Sequence, residues 1–281
     1  MKRFTLGVAL SSLALSTVLI ALPARAGAAA PTAATAASIP GLRTPGTLTF
    51  GTNFPYPPME YFTGDNADVQ TGADVDLGKA IAAHLGLKAS FSDVTDFGTI
   101  IIGLQSHHYD AIISSLNETP DRAKVMAFIP YANVGQSILV RKGNPLHTQK
   151  VADLSGQKVG VQSGTVELDT LNNANNDLSR LHKPLIQIFK FPQDATAVLG
   201  LQTGRFTAIM EDYPVAAYNA TQRPHVFQIA GQQIAPSPYA MAFRKSDTAL
   251  RVKVSQALAA MRKDGTYIKI LKKYGLQQAA L

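Results

Sequence analysis

The chain contains no cysteine. That excludes disulfides, thiolate metal sites, a cysteine nucleophile and a lipidated N-terminal cysteine. Charge is sparse, at 16% of 281 residues, and no run of five basic residues occurs anywhere. A net charge of +7 raises nucleic acid as a partner, but binding to a phosphate backbone needs clustered positive charge, so this distribution argues against it. Histidines 84, 107, 108, 147, 182 and 225 lack metal-ligand spacing. No Gly-Lys-Ser/Thr follows Gly164, so the turn there is not a phosphate-cradling Walker loop. We find no cofactor motif and no defensible Ser-His-Asp arrangement. What remains is 46% hydrophobic with ordinary glycine and proline content, 21 and 16 residues. The length suits one or two domains with a real core.

The first 26 residues stand apart. Lys2 and Arg3 precede an uncharged, mostly apolar stretch from Phe4 to Leu22, and Ala24-Arg25-Ala26 offers a small-x-small cleavage site. That is the layout of a cleaved secretory signal; an uncleaved anchor is the rival reading. Loss of Lys2, Arg3 and Arg25 would lower the net charge to +4. Residues 27–46 are Ala, Thr, Pro and Gly with little else, which predicts a disordered leader. No later apolar run is long enough to span a membrane.

From Thr47 the sequence alternates strand and helix patterns. Leu48–Gly51 reads as a strand, followed by a helix capped by Asp74 with Leu77, Ile81 and Leu85 on one face. Leu87–Phe91 reads as a strand, the stripe Phe97, Ile100, Ile101, Leu104 as a helix, and Ala111–Ile113 as a buried strand. A second block repeats the order: strand at Lys158–Val161, helix through Leu171, strand at Leu185–Phe189, helix at Gln193–Thr203, strand at Phe206–Met210. The C-terminus is helical, with Leu250, Val254, Ala257, Leu258 and Met261 sharing a face. Two βαβαβ blocks imply two α/β lobes, each a mainly parallel sheet with flanking helices, and a ligand between them.

Open parallel sheets bind ligands beyond the carboxyl ends of their strands. Those loops carry Asn53, Phe54, Tyr56 and Glu60, then Ser114, Ser115 and Asn117 with Arg122 just beyond, then Ser163 and Thr165, then Glu211 and Asp212. An arginine fork with nearby hydroxyls suits a carboxylate. A facing aspartate suits an ammonium, and aromatic rings supply apolar or cation–π walls. Together they fit a zwitterion of the α-amino-acid type. Each residue has a plainer reading: Arg122 as a solvated helix arginine, Asp212 as a helix cap, Tyr56 as packing for the proline loop, Glu60 as a surface charge, and Ser163-Gly164-Thr165 as a turn.

Several segments resemble one family in colinear order. They are Gly51-Thr52-Asn53-Phe54-Pro55-Tyr56-Pro57-Pro58-Met59-Glu60, Gly72–Leu77, Tyr109–Ser115, Thr119-Pro120-Asp121-Arg122, Val159–Thr165, Gly204-Arg205-Phe206 and Asp264-Gly265-Thr266-Tyr267. Over residues 47–276 the chain resembles the substrate-binding proteins of polar amino-acid ABC importers, solute-binding protein family 3. The resemblance implies a periplasmic two-lobed binding-protein fold with two hinge crossovers. It implies capture of an amino acid, delivery to a membrane permease of an ABC importer, and no catalysis. The lobes would be 47–133 with 239–281, and 134–238, crossing near Ala132–Gly135 and Gln232–Pro238.

By position, the resemblance assigns the ligand carboxylate to Arg122 and Thr165, main-chain contacts to Ser115 and Asn117, and the α-ammonium to Asp212. Asn53, Tyr56, Glu60 and Phe97 would wall the side-chain pocket. Asn117 replaces a usual Ser or Thr, Val166 a frequent Thr, and Asn53 an acid common among binders of cationic side chains. Glu60, the one acid placed near the distal pocket, with Tyr56 and Phe97 beside it, favours a polar or basic ligand over an acidic one, and Asn53 in place of an acid counts against this. Two alternatives share the scaffold: a cyclohexadienyl (prephenate/arogenate) dehydratase with Glu60 or Glu211 as general acid, and a ligand-presenting sensory adaptor.

Overall fold

The computed structural model describes Met1 and residues 39–281. The expected signal peptide, and the leader as far as residue 38, lie outside the described residues. Residues 39–46, expected to be disordered, are instead docked. Ile39 is buried in the first core, and the Arg43 amide donates to Asp110 Oδ1 at 2.6 Å. Leu42 packs against the same core, and Thr44 pairs with Thr47 at the start of the first strand.

The first block follows the expected order. Strand β1 (Thr47–Thr52) is buried over nearly its whole length, as a central parallel strand covered on both faces must be. A short hairpin, β2 (Tyr61–Thr63) with β3 (Val69–Thr71), leads into helix α1 (Ala73–His84). Gly72 starts α1 at φ 124°, and a Cβ there would meet Met59 O at 2.1 Å, so only glycine fits. Asp74 does not cap this helix; it lies inside the first turn and is fully buried. Strand β4 (Lys88–Asp93) follows, then one 3₁₀ turn capped by Asp96, helix α2 (Ile100–Gln105) and strand β5 (Ala111–Ile112).

After the short helix α3 (Pro120–Ala123) comes β6 (Met126–Arg141), a 16-residue strand that the sequence patterns do not announce. The second block is β7 (Lys158–Gln162), α4 (Val166–Arg180), β8 (Gln187–Phe191), α5 (Asp194–Gln202) and β9 (Ala208–Asp212). Helix α4 runs well past Leu171 because Leu178, two turns on, continues the same buried face. Helix α6 (Tyr213–Gln222) leads to β10 (Phe227–Arg244), 18 residues long. Helices α7 (Thr248–Asp264) and α8 (Thr266–Lys273) close the chain, hinged at Gly265 in the left-handed region. All five apolar residues of the expected α7 stripe are buried. At roughly 1.5–3 kcal/mol per large apolar side chain, they pin the C-terminus to the first core.

One eight-stranded sheet runs in the order β4-β1-β5-β10-β6-β9-β7-β8. Strand β1 is parallel to β4 and β5, and β7 is parallel to β8 and β9, as the two blocks require. The antiparallel pair β6–β10 joins the two parallel groups, with register shifts between Ala230 and Ile234 and between Ile234 and Ser237. The expected crossings at Ala132–Gly135 and Gln232–Pro238 fall inside these two strands. Separate cores lie in the halves. One packs Leu48, Phe50, Leu77 and Ile81 against α7, and the other packs Val159, Val161, Leu171 and Leu178.

Candidate functional site

Strands β1, β5, β7 and β9 all end at one cleft between the halves of the sheet. Asn53, Tyr56, Glu60 and Phe97 line it from the segments after β1 and β4, and Ser114, Ser115 and Asn117 from the loop after β5. Thr165 and Asp212 face them from the second half. Nine expected site residues therefore come together. Gln162 and Glu167, which the sequence reading passed over, line the same cleft. Gln162 is the last residue of β7, so the strand-end rule already pointed to it. Glu167 gave a weaker signal, an acid in the first turn of a helix, where the dipole favours negative charge.

Two expected residues do not line the cleft. Ser163 donates its backbone N–H to Phe191 O at 2.8 Å. Arg122 is half-buried, with its guanidinium donating to Asn117 O at 2.6 Å and to Gly164 O at 2.8 Å. It thus ties the loop after β5 to the loop after β7 and is not simply a solvated arginine. Asp212 opens α6 but makes no side-chain cap. Its Oδ2 accepts the Tyr56 hydroxyl at 2.8 Å.

The first wall is a relay. The Asn53 amide donates to Ser114 Oγ at 3.0 Å, and the Ser114 hydroxyl donates to Glu60 Oε1 at 2.7 Å. Behind it, Asp74 Oδ2 accepts the Ser115 amide at 2.7 Å and the Tyr131 hydroxyl at 2.9 Å. Ser115 holds φ 50°, in the left-handed region that non-glycine residues rarely adopt. On the second wall, Thr165 caps α4 by accepting the Leu168 amide at 3.3 Å. Contacts also cross the cleft: Gln162 Nε2 to Asn53 Oδ1 at 2.8 Å and Gln193 Nε2 to Phe54 O at 2.9 Å.

The electrostatics are unusual because acids dominate. Burial holds the Glu60 carboxyl well above the usual range, and the Asp74 charge adds to the effect. Burial likewise pushes Asp74 up to about 7, against the lowering hydrogen bond from Tyr131. Burial and then the Asp212 charge raise Glu167, and burial raises Asp212 to about 6. Arg122 is lowered by burial, partly offset by the charges of Glu167, Asp169 and Asp212. Glu211 and Asp194 form a further buried acidic pair outside the cleft lining, with Glu211 accepting Asn219 Nδ2 at 3.2 Å. Glu211 is therefore not placed as a general acid for a cleft ligand.

Four buried polar atoms at the cleft have no hydrogen-bond partner: Glu60 Oε2, Ser115 Oγ, Glu167 Oε1 and Asp212 Oδ1. Buried acceptors are normally satisfied, and leaving one bare costs about 1–3 kcal/mol. Three of these four atoms are carboxyl oxygens, which are satisfied either by a proton shared with a neighbouring acid or by N–H donors from something that enters the cleft.

Residues 48–277 match the model of the bacterial extracellular solute-binding proteins, family 3. The L-cystine-binding protein TcyJ of Escherichia coli (strain K12) is 30% identical, over 82% of this chain and 82% of its own. The arginine-binding extracellular protein ArtP of Bacillus subtilis (strain 168) is 30% identical, over 81% of this chain and 85% of its own. Among solved structures, an ancestral arginine-binding protein bound to arginine superposes with a TM-score of 0.75 at 37% identity, covering 82% of this chain and 98% of the other. The two-lobed α/β fold expected from the sequence is the fold of that protein. The chain belongs to the bacterial extracellular solute-binding proteins of family 3.

Proposed function

We propose that this protein captures a free α-amino acid with a cationic side chain, arginine foremost, and presents it in the periplasm to the membrane permease of an ABC importer. The observation that carries this reading is the set of bare carboxylate oxygens on opposite walls, Glu60 Oε2 on one and Glu167 Oε1 and Asp212 Oδ1 on the other. A ligand with cationic nitrogen at both ends satisfies both walls. Its α-ammonium meets Asp212 and Glu167, and its side-chain cation meets Glu60. Arg122, which does not line the cleft, reaches the carboxylate by exchanging its Gly164 carbonyl for the ligand, with Ser115, Asn117 and Thr165 around it and Ser163 supporting the loop. Tyr56 and Phe97 flank the aliphatic stem. The names of the arginine-binding relatives agree with this assignment, and the cystine-binding relative also takes a ligand bearing ammonium groups.

In this reading the lobes are residues 47–133 with 239–281, and 134–238, and β6 and β10 are the hinge strands. The cleft closes because the contacts to both walls exist together only in the closed form. The amino acid leaves unchanged: this is capture, not catalysis. A thermal-shift screen of the amino acids, polyamines and organic acids tests it. A ligand at 100 times its dissociation constant adds about 2.7 kcal/mol of stability. Arginine or lysine should give the largest shift; a preference for glutamate or aspartate contradicts the reading.

A further inference from the structure

Glu60 and Asp74 are neighbours: the Asp74 amide donates to Met59 O at 2.9 Å, and consecutive residues hold the two carboxyls, Ser114 through its hydroxyl and Ser115 through its amide. After Ser114 takes Glu60 Oε1, and Ser115 and Tyr131 take Asp74 Oδ2, each carboxyl keeps one oxygen that is buried and without a donor. Two bare acceptors side by side are satisfied together by one proton held between them, as in a carboxyl–carboxylate pair. Both residues belong to the first half of the sheet, so opening the cleft does not separate them. The groups facing them are Tyr131 from β6, Asp212 from β9 and the hydroxyls of Ser114 and Ser115, with no cation among them. Among the described residues neither carboxyl takes part in a salt bridge.

We propose that the Glu60–Asp74 pair is a protonation-dependent selector of ligand side-chain charge. With one proton the pair carries a single negative charge, matched to a cationic side chain. With two it is neutral and accepts an uncharged side chain of the same shape. The inference rests on the reading of the cleft as an amino-acid site and adds to it how charge selectivity is set and why that selectivity depends on pH. Charge balance gives the reason. The Glu167–Asp212 pair and Arg122 answer the α-ammonium and carboxylate that every amino acid carries. Only the Glu60–Asp74 pair is left to answer what varies. A buried, low-dielectric site strongly disfavours residual charge, so a proton takes the place of a missing ligand cation.

Arginine and citrulline separate the two states, because citrulline has nearly the shape of arginine without the charge. Titration calorimetry with each ligand from about pH 5 to about pH 8 gives the ratio of their affinities. Acidification adds the second proton, so the preference for arginine should shrink as pH falls, by up to about tenfold per pH unit. Contributions from Arg122, Asp212 and Glu167 are common to both ligands and cancel in the ratio. In Glu60→Gln the preference should be small and flat with pH. Asp74→Asn, which keeps Glu60 but removes the carboxyl that shares its proton, leaves a lone buried carboxyl whose charge is less well stabilised, so the pH dependence should move to higher pH. A ratio independent of pH in the unaltered protein, or citrulline failing to bind at every pH while arginine binds, overturns the proposal and leaves the amino-acid site standing. Failure of every basic amino acid to bind removes the reading beneath it.

Discussion

The Tyr56 hydroxyl donates to Asp212 Oδ2 at 2.8 Å and accepts the Asp212 amide at 3.2 Å, joining residues 156 positions apart across the cleft. In the proposed hinge motion the contact forms only as the two halves meet. Tyr56→Phe keeps the ring and removes the bond. A hydrogen bond to a charged group is worth about 1.5–3 kcal/mol, so ligand affinity should fall by roughly ten- to a hundredfold. Calorimetry on the variant checks this; an unchanged affinity would mean that closure does not use the contact.

Arg122 bridges the loops by holding Asn117 O and Gly164 O. Arg122→Ala should leave the fold intact, because the residue is half-buried on a four-residue helix. Binding should weaken by about 2–5 kcal/mol, the usual cost of breaking a buried charged pair. Circular dichroism reports the fold and calorimetry the affinity. Affinity unchanged within about twofold would remove Arg122 from the carboxylate assignment.

Gly164 and Gly98 bring backbone against backbone across the cleft. A Cβ on Gly164 would stand 2.8 Å from the Gly98 Cα, and Gly164 also holds φ +76°. Gly164→Ala should therefore obstruct closure while each half still folds. Small-angle scattering should show less compaction at saturating ligand than in the unaltered protein, together with weaker binding. Equal compaction would show that the loop yields without cost.

Much of this arrangement was legible in the sequence, and the exceptions have physical causes. The stripes of α1 and α7 and the buried β1 follow from residue spacing alone. Strands β6 and β10 escaped because Pro130, Gly135 and Pro238 break their patterns, and because each crosses from one core to the other and so changes its buried face. Asp74 reads as a cap from its neighbours, but the Ser115 amide and the Tyr131 hydroxyl, 41 and 57 residues away, draw it inside. The strand-end rule gathered most of the cleft. It could not aim Arg122, whose partner carbonyl at Gly164 lies 42 residues on.

The buried acids make a prediction about pH. Asp74 and Asp194 are raised to about 7 and Asp212 to about 6 by burial. Carboxyls in the unfolded chain ionise near pH 4. Between that value and the raised ones the folded protein binds more protons than the unfolded chain, so stability falls as pH rises through the window. The unliganded protein should melt at a higher temperature near pH 5 than near pH 7.5, and bound arginine should narrow the difference by supplying the missing cations. A melting temperature that climbs steadily over this range would mean the acids are not held in apolar surroundings.

The central claim is that the acidic cleft binds a basic amino acid, and competition calorimetry against all twenty amino acids tests it most directly. Arginine or lysine should bind most tightly, with glutamate and aspartate at the bottom of the order. Tight binding of an acidic amino acid, or no binding of any basic one, would contradict the account.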